Sequence, residues 1–206
     1  RPLDALRKVN LPEIDERLSS AAHGGAAMLE TMNDILRDVL HAERASVFRF
    51  DPERDELLTV AAHGDGNAGS PLIRMPAGIG LAGAALRHDR MLNIPDAYAD
   101  ERFNPDFDRQ TGFTTRSVLC VPLHDEHEEI IGVAQILNHH HGAFTAESEI
   151  IAGQLASRCA NALAVAFFRD SAEVNLAATI VAEPAVMPGE TVSQEADRIG
   201  QSVIVP

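Results

Sequence analysis

A chain of 206 residues, 45% hydrophobic and 23% charged, can bury one core of moderate size with appendages. Its formal charge of −14, with no run of Lys and Arg to release counterions, excludes sequence-independent binding to nucleic acid or an anionic membrane; an anionic ligand would have to be held by backbone amides. No apolar run approaches the roughly 20 residues of a membrane span, and Arg1-Pro2-Leu3-Asp4 lacks a signal peptide's apolar segment, which predicts a cytoplasmic protein.

Leu3, Leu6, Leu11, Ile14 and Leu18 recur at approximately helical spacing, with Pro12 either starting or interrupting the pattern. A break is expected at Ser19–Gly25, and then Met28, Leu29, Met32, Ile35, Leu36, Val39 and Leu40 trace one face of a second helix from Ala26 to Leu40. From Arg44 the period changes. Ala45–Asp51 and Leu57–Ala62 read as a hairpin around the turn chemistry of Asp51-Pro52-Glu53-Arg54-Asp55. His63–Ser70 is a loop, Leu72–Met75 a short strand, and Pro76-Ala77-Gly78 a turn. Gly78, Gly80 and Gly83 surround Leu81-Ala82 ahead of good helix formers, so a helix begins near Gly80 with N–H groups uncovered by bulky side chains, an end suited to a phosphate. Met91–Ile94 is extended. Arg116–Leu123 and Ile130–Asn138 form a second hairpin across an acidic turn. Strand alternation puts Gln135 on the same face as Val133 and Leu137, where a polar side chain needs partners. Thr145-Ala146-Glu147 opens a last helix with an apolar stripe from Ile150 to Phe167, and residues 171–206, with Pro184 and Pro188, read as a connector.

Three ordered blocks carry a resemblance: Met75-Pro76-Ala77-Gly78-Ile79-Gly80-Leu81-Ala82-Gly83, Leu92-Asn93-Ile94-Pro95-Asp96-Ala97-Tyr98-Ala99, and Thr111-Gly112-Phe113-Thr114-Thr115-Arg116-Ser117-Val118-Leu119-Cys120-Val121-Pro122. Over residues 26–168 the chain resembles the GAF domain family, nearest to the regulatory GAF domains of cyclic-nucleotide phosphodiesterases and related adenylyl cyclases. The resemblance implies an α+β fold: a central antiparallel sheet of about six strands, helices packed on one side, and a ligand pocket under loops and short helices on the other. It also implies a sensor at 26–168 between a lead-in helix at 1–25 and a connector at 169–206 toward an effector absent from this chain, whose first residue is not Met. The expected ligand is cAMP or cGMP. Its phosphate would lie on Ile79, Leu81 and Ala82, and its base and ribose on Ser46, His63, Gly64, Asp108, Thr111, Thr115 and Gln135. No cofactor or metal is expected, and the partner expected is a second copy, through the first and last helices.

Asn138, Phe144 and Glu149 fit the family pattern, but His139 and Ser148 replace the Lys and Asp that those relatives pair, so that ion pair cannot form. Gln135 stands where they carry Glu, and His63-Gly64 where they carry Phe-Asp. These substitutions keep a second class open, a GAF module that binds another small metabolite or only dimerises. A third class, a small redox reductase of this fold, is disfavoured because Cys120 and Cys159 lie in separate apolar contexts and read as core residues. No Gly-x-Ser-x-Gly, His-Glu-x-x-His, Cys-x-x-Cys or phosphate-binding P-loop motif is present, which points to a non-enzymatic domain. His139-His140-His141 reads as a solvated turn rather than a metal site.

Overall fold

The computed structural model describes residues 5–21, 25–60 and 72–181. The helices are α1 (Leu11–Ser20), α2 (Gly25–Val39), α3 (Gly80–His88), α4 (Asp106–Thr111) and α5 (Ala146–Val181). The strands are β1 (Ala42–Asp51), β2 (Glu56–Val60), β3 (Leu72–Pro76), β4 (Leu92–Ile94), β5 (Val118–His124) and β6 (Ile130–His139), with a 3₁₀ turn at Ala97–Ala99. Pro12 starts α1 instead of interrupting it: Asn10 caps the helix, accepting from Glu13 N, and Pro12 sits in the first turn, where its missing N–H costs nothing. The α2 stripe is buried as its spacing predicts, and Met28, Leu29, Met32, Ile35 and Leu36 have no exposure. On the same helix Asn33 is buried, its Oδ1 accepting Val47 N of β1 at 2.6 Å, which ties helix to sheet.

All strand pairings are antiparallel, in the order β3-β2-β1-β6-β5-β4. Period-two alternation splits the apolar residues between two faces. Val47, Leu119, Val121, Leu123 and Ile136 pack on α1, α2 and α5, while Phe48, Val118, Cys120 and Val133 face α3 and the 3₁₀ turn. Because both faces are covered, every residue of β5 from Val118 to Leu123 is buried.

Helix α5 opens with a reciprocal cap in which Ser148 takes the position of an acid: Thr145 N donates to Ser148 Oγ and Ser148 N to Thr145 Oγ1, each at 3.2 Å. Its backbone stays helical to Val181, beyond the expected start of the connector; residues 182–206 lie outside the described part. The apolar residues of the first and last helices, through which a second copy is expected to pair, are mostly absorbed internally. Ile14, Leu18, Ile151, Leu155, Cys159 and Leu163 all join the core, and Val165, half exposed, is the one large apolar side chain of α5 left outward among the described residues.

The three consecutive histidines differ. His140 and His141 are exposed as a solvated turn requires, but His139 ends β6 half-buried, its ring edge-on to Phe144 at 5.4 Å and its Nδ1 accepting from His141 N at 3.2 Å. Among the described residues no group of three or more His, Cys, Asp or Glu is placed to hold a metal. Burial first, then the neighbouring His141, His41 and His140, hold His139 below the ordinary imidazole value of 6.5. The unfolded chain therefore binds this proton more readily, and stability should fall as pH drops below 6.5. An NMR titration should place its midpoint under 6.5, and His139→Gln should flatten that part of the stability profile; a midpoint at or above 6.5 refutes this.

Candidate ligand-binding site

The turn Pro76–Gly78 is held to the β1–β2 hairpin by Ala77 N donating to Asp55 O at 2.9 Å. Gly80 then takes φ +70°, which brings the chain into α3 and which a side chain would strain. Ile79 stands at the N-cap and offers no side-chain acceptor, so the first N–H groups of α3 have none on the chain among the described residues. Gly83 lets the helix lie back on its own turn, since a Cβ there would come within 2.6 Å of Ala77 O.

This helix start opens on a cavity of about 210 Å³ between the front face of the sheet and the short helices. Ser46 of β1 and Gln135 of β6, opposite one another in register, line its floor. Both are half-buried, and neither side chain hydrogen-bonds another described residue. Ile79 comes from the N-cap of α3, Leu81 and Ala82 from its first turn, and Asp108 and Thr115 from the segment that carries α4 across the front. Thr111 stands apart: it is exposed, and its hydroxyl donates to Phe107 O within its own helix. His63 and Gly64 lie outside the described residues. Ile73, Ile79 and Phe107, each at least 40% exposed, also line the cavity and give it an apolar rim.

Asp108 lies within α4. It is 5% exposed and its carboxylate gathers three neutral donors: Thr115 N at 2.6 Å, Thr115 Oγ1 at 2.8 Å and Tyr98 Oη at 3.1 Å. A carboxylate has about four lone-pair directions, so capacity remains for a donor from the cavity. At the start of the crossing segment Asp100 takes the Arg102 guanidinium on both oxygens, and that pairing lowers its pKa to about 2. Farther on, Arg44 of β1 stacks over Phe113, its guanidinium carbon 4.1 Å from the ring centroid.

A second network anchors the return of this segment to the sheet. Asn138, fully buried with φ +60°, accepts from Arg116 N at 2.6 Å and donates through Nδ2 to Thr114 O and Glu43 Oε2, each at 2.8 Å. Arg116 in turn pairs with Glu43, and these contacts, Asn138 first, hold the Glu43 carboxyl below its usual value. On the other side Asn93 of β4 donates to Phe144 O at 3.0 Å and Glu149 Oε1 at 2.7 Å.

Sequence reasoning missed Phe107, Asn104 and Thr59 on the cavity wall and Tyr98 behind it. Alternation along β2 could have placed Thr59 on the floor; nothing local marks the others.

Known proteins share both the sequence and the fold. A segment 35% identical over 108 residues occurs in the dual 3',5'-cyclic-AMP and -GMP phosphodiesterase 11A of Takifugu rubripes, covering 48% of this chain and 12% of that protein. Another, 47% identical over 70 residues, occurs in the cGMP-specific 3',5'-cyclic phosphodiesterase of Drosophila mojavensis and covers 34% of this chain and 6% of that one. The chain thus matches a small part of each relative. Among solved structures, the GAF domain of an Acinetobacter phosphoenolpyruvate-protein phosphotransferase superposes with a TM-score of 0.64 at 20% identity, covering 82% of this chain and 97% of that one. The free methionine-R-sulfoxide reductase of Neisseria meningitidis follows with a TM-score of 0.58 at 21% identity, covering 77% of this chain and 89% of that one. The GAF domain model matches residues 26–163, the stretch that builds the sheet, the cavity and the helices behind it, and the chain belongs to the GAF domain family.

Proposed function

We propose that the chain is a non-catalytic regulatory sensor within a longer protein and that its front cavity takes a cyclic nucleotide, cAMP or cGMP. The observation that carries this is the uncapped start of α3 opening on a cavity whose floor holds two hydrogen-bonding side chains without described partners. The chain's charge of −14 leaves little else to attract an anion, whereas a cyclic phosphate satisfies N–H groups at a helix start. Gln135 can donate and accept together, Ser46 can do either, and Asp108 accepts, a set that suits the edge of a purine. The family relationship to phosphodiesterase segments supports the same ligand class.

The redox alternative needs a thiolate. Burial raises Cys120 well above the ordinary thiol range and pushes Cys159 up to about 12, so neither offers one near neutral pH. The exposed rim of Ile73, Ile79 and Phe107 would be covered if the α4 segment closed over a ligand, and that closure would change how α5 sits behind the sheet. In a parallel homodimer through the first and last helices, α5, helical to Val181, passes the change on to an effector.

Titration calorimetry and thermal shift with each nucleotide test this. A specific ligand at a hundredfold excess over its dissociation constant should add about 2.7 kcal/mol of stability. No heat and no shift with either would leave the second reading, a GAF module for another metabolite or for dimerisation alone. Sedimentation of the same samples should show a dimer; a concentration-independent monomer removes the helix coupling but not the site.

A further inference from the structure

We propose that Tyr98, which lies outside the cavity wall, is a positioning residue that tethers the α4 segment and sets how fast the cavity exchanges its occupant. Three segments meet below this segment and close a ring of hydrogen bonds. Ala97 N donates to Arg116 O at 2.7 Å, Tyr98 Oη donates to Asp108 Oδ2 at 3.1 Å, and Thr115 N donates to the same Oδ2 at 2.6 Å. The 3₁₀ turn is the fixed corner: Ala97 is fully buried, and Asp96 accepts from Tyr98 N at 3.1 Å. Helix α4, with six residues, is the weakest corner, because it is too short to stand alone and its exposed side chains bury little.

Tyr98 is the chain's single tyrosine and is 57% exposed, its ring tilted against Phe103 at 5.0 Å. Water could satisfy so exposed a hydroxyl, yet it is directed at the buried carboxylate of the crossing segment. Removing it leaves the Asp108–Thr115 pair intact and frees α4 only from its post. Tyr98 thus acts through Asp108 and touches no ligand.

The variant Tyr98→Phe keeps the ring and deletes only the hydroxyl. In the ligand-free protein, amide exchange at Thr115 and at Gly112, whose N–H donates to Asp108 O at 2.9 Å, should rise severalfold, while amides of β5 and β6 change much less and the melting temperature falls by only a few degrees. The rate part rests on the nucleotide reading: dissociation of bound cAMP or cGMP should be about fivefold faster in the variant, the weight of one ordinary hydrogen bond. Unchanged exchange at Thr115 and Gly112 overturns the tether, as does a loss of protection spread equally through β5 and β6. If the wild type takes up neither nucleotide while the local exchange pattern appears, the tether stands and the ligand reading falls.

Discussion

Gly132→Ala is expected to be among the most damaging single substitutions in the chain, lowering stability by about 3 kcal/mol or more, or leaving the protein insoluble. Gly132 lies on β6 opposite Arg49 of β1 and Leu123 of β5, in the middle of the sheet. A Cβ built there falls 2.3 Å from Phe48 O and 3.3 Å from Phe48 C, and both are backbone atoms that cannot swing aside. Relief requires β1 and β6 to part where Phe48 and Val133, on adjacent positions, pack against α3, so the cavity floor would be lost with the strand pairing. Gly142→Ala is the control. Its φ of +106° carries backbone strain but nothing lies within 4 Å of a Cβ, so the expected loss is about 1 kcal/mol. Urea unfolding of the two variants should separate them clearly; equal, small losses would show that the central strands can yield.

That contrast marks what could be read from residues alone. The change from helical to strand period at β1, the hairpins, the start of α3 at Gly80 and the inward face of Gln135 follow from periodicity and turn chemistry, which are local. The close approach of β1 at Gly132 is not local: a glycine within a strand reads equally as a weak point or a bulge until its neighbour is known. The early start of β1 at Ala42, ahead of Arg44, is set by its pairing with His139 rather than by its own residues. Helix α5 outruns its expected end because no residue before Pro184 forbids a helix, and a change of composition is weaker evidence than a breaker.

The site divides in the same way. Residues on regular elements, Ser46 and Gln135 on paired strands and Ile79 to Ala82 at a helix start, come together because their elements do. Residues on the crossing segment are less legible. Asp108 and Thr115 reach the cavity through a bond between them, whereas Thr111, closer in sequence to both, turns back on its own helix. Tyr98 sits in a block that carries the family resemblance, yet its contact ten residues on depends on how the segment folds over.

Asn138→Ala should cost about 3 kcal/mol, a fall in melting temperature of roughly 6–12 °C for a domain of this size, and should loosen the cavity as well. The side chain makes three hydrogen bonds while fully buried, and its loss strands Arg116 N and Thr114 O where the crossing segment rejoins the sheet. Glu43 loses its Nδ2 donor in the same step and keeps only Arg116. Backbone conformation adds a smaller part, because φ is +60° at Asn138 and Asn tolerates the left-handed region better than Ala. Two further variants separate these causes. Asn138→Gly restores the backbone but none of the bonds, and should recover less than about 1 kcal/mol. Asn138→Asp keeps the shape but turns an oxygen toward Glu43 Oε2 and Thr114 O, and should be at least as damaging as Ala. Full recovery in Asn138→Gly would assign the cost to the backbone and not to these hydrogen bonds. Retained low stability in all three, with faster exchange at Thr115, would mean that one buried amide holds the crossing segment so that Asp108 and Thr115 stay on the cavity wall.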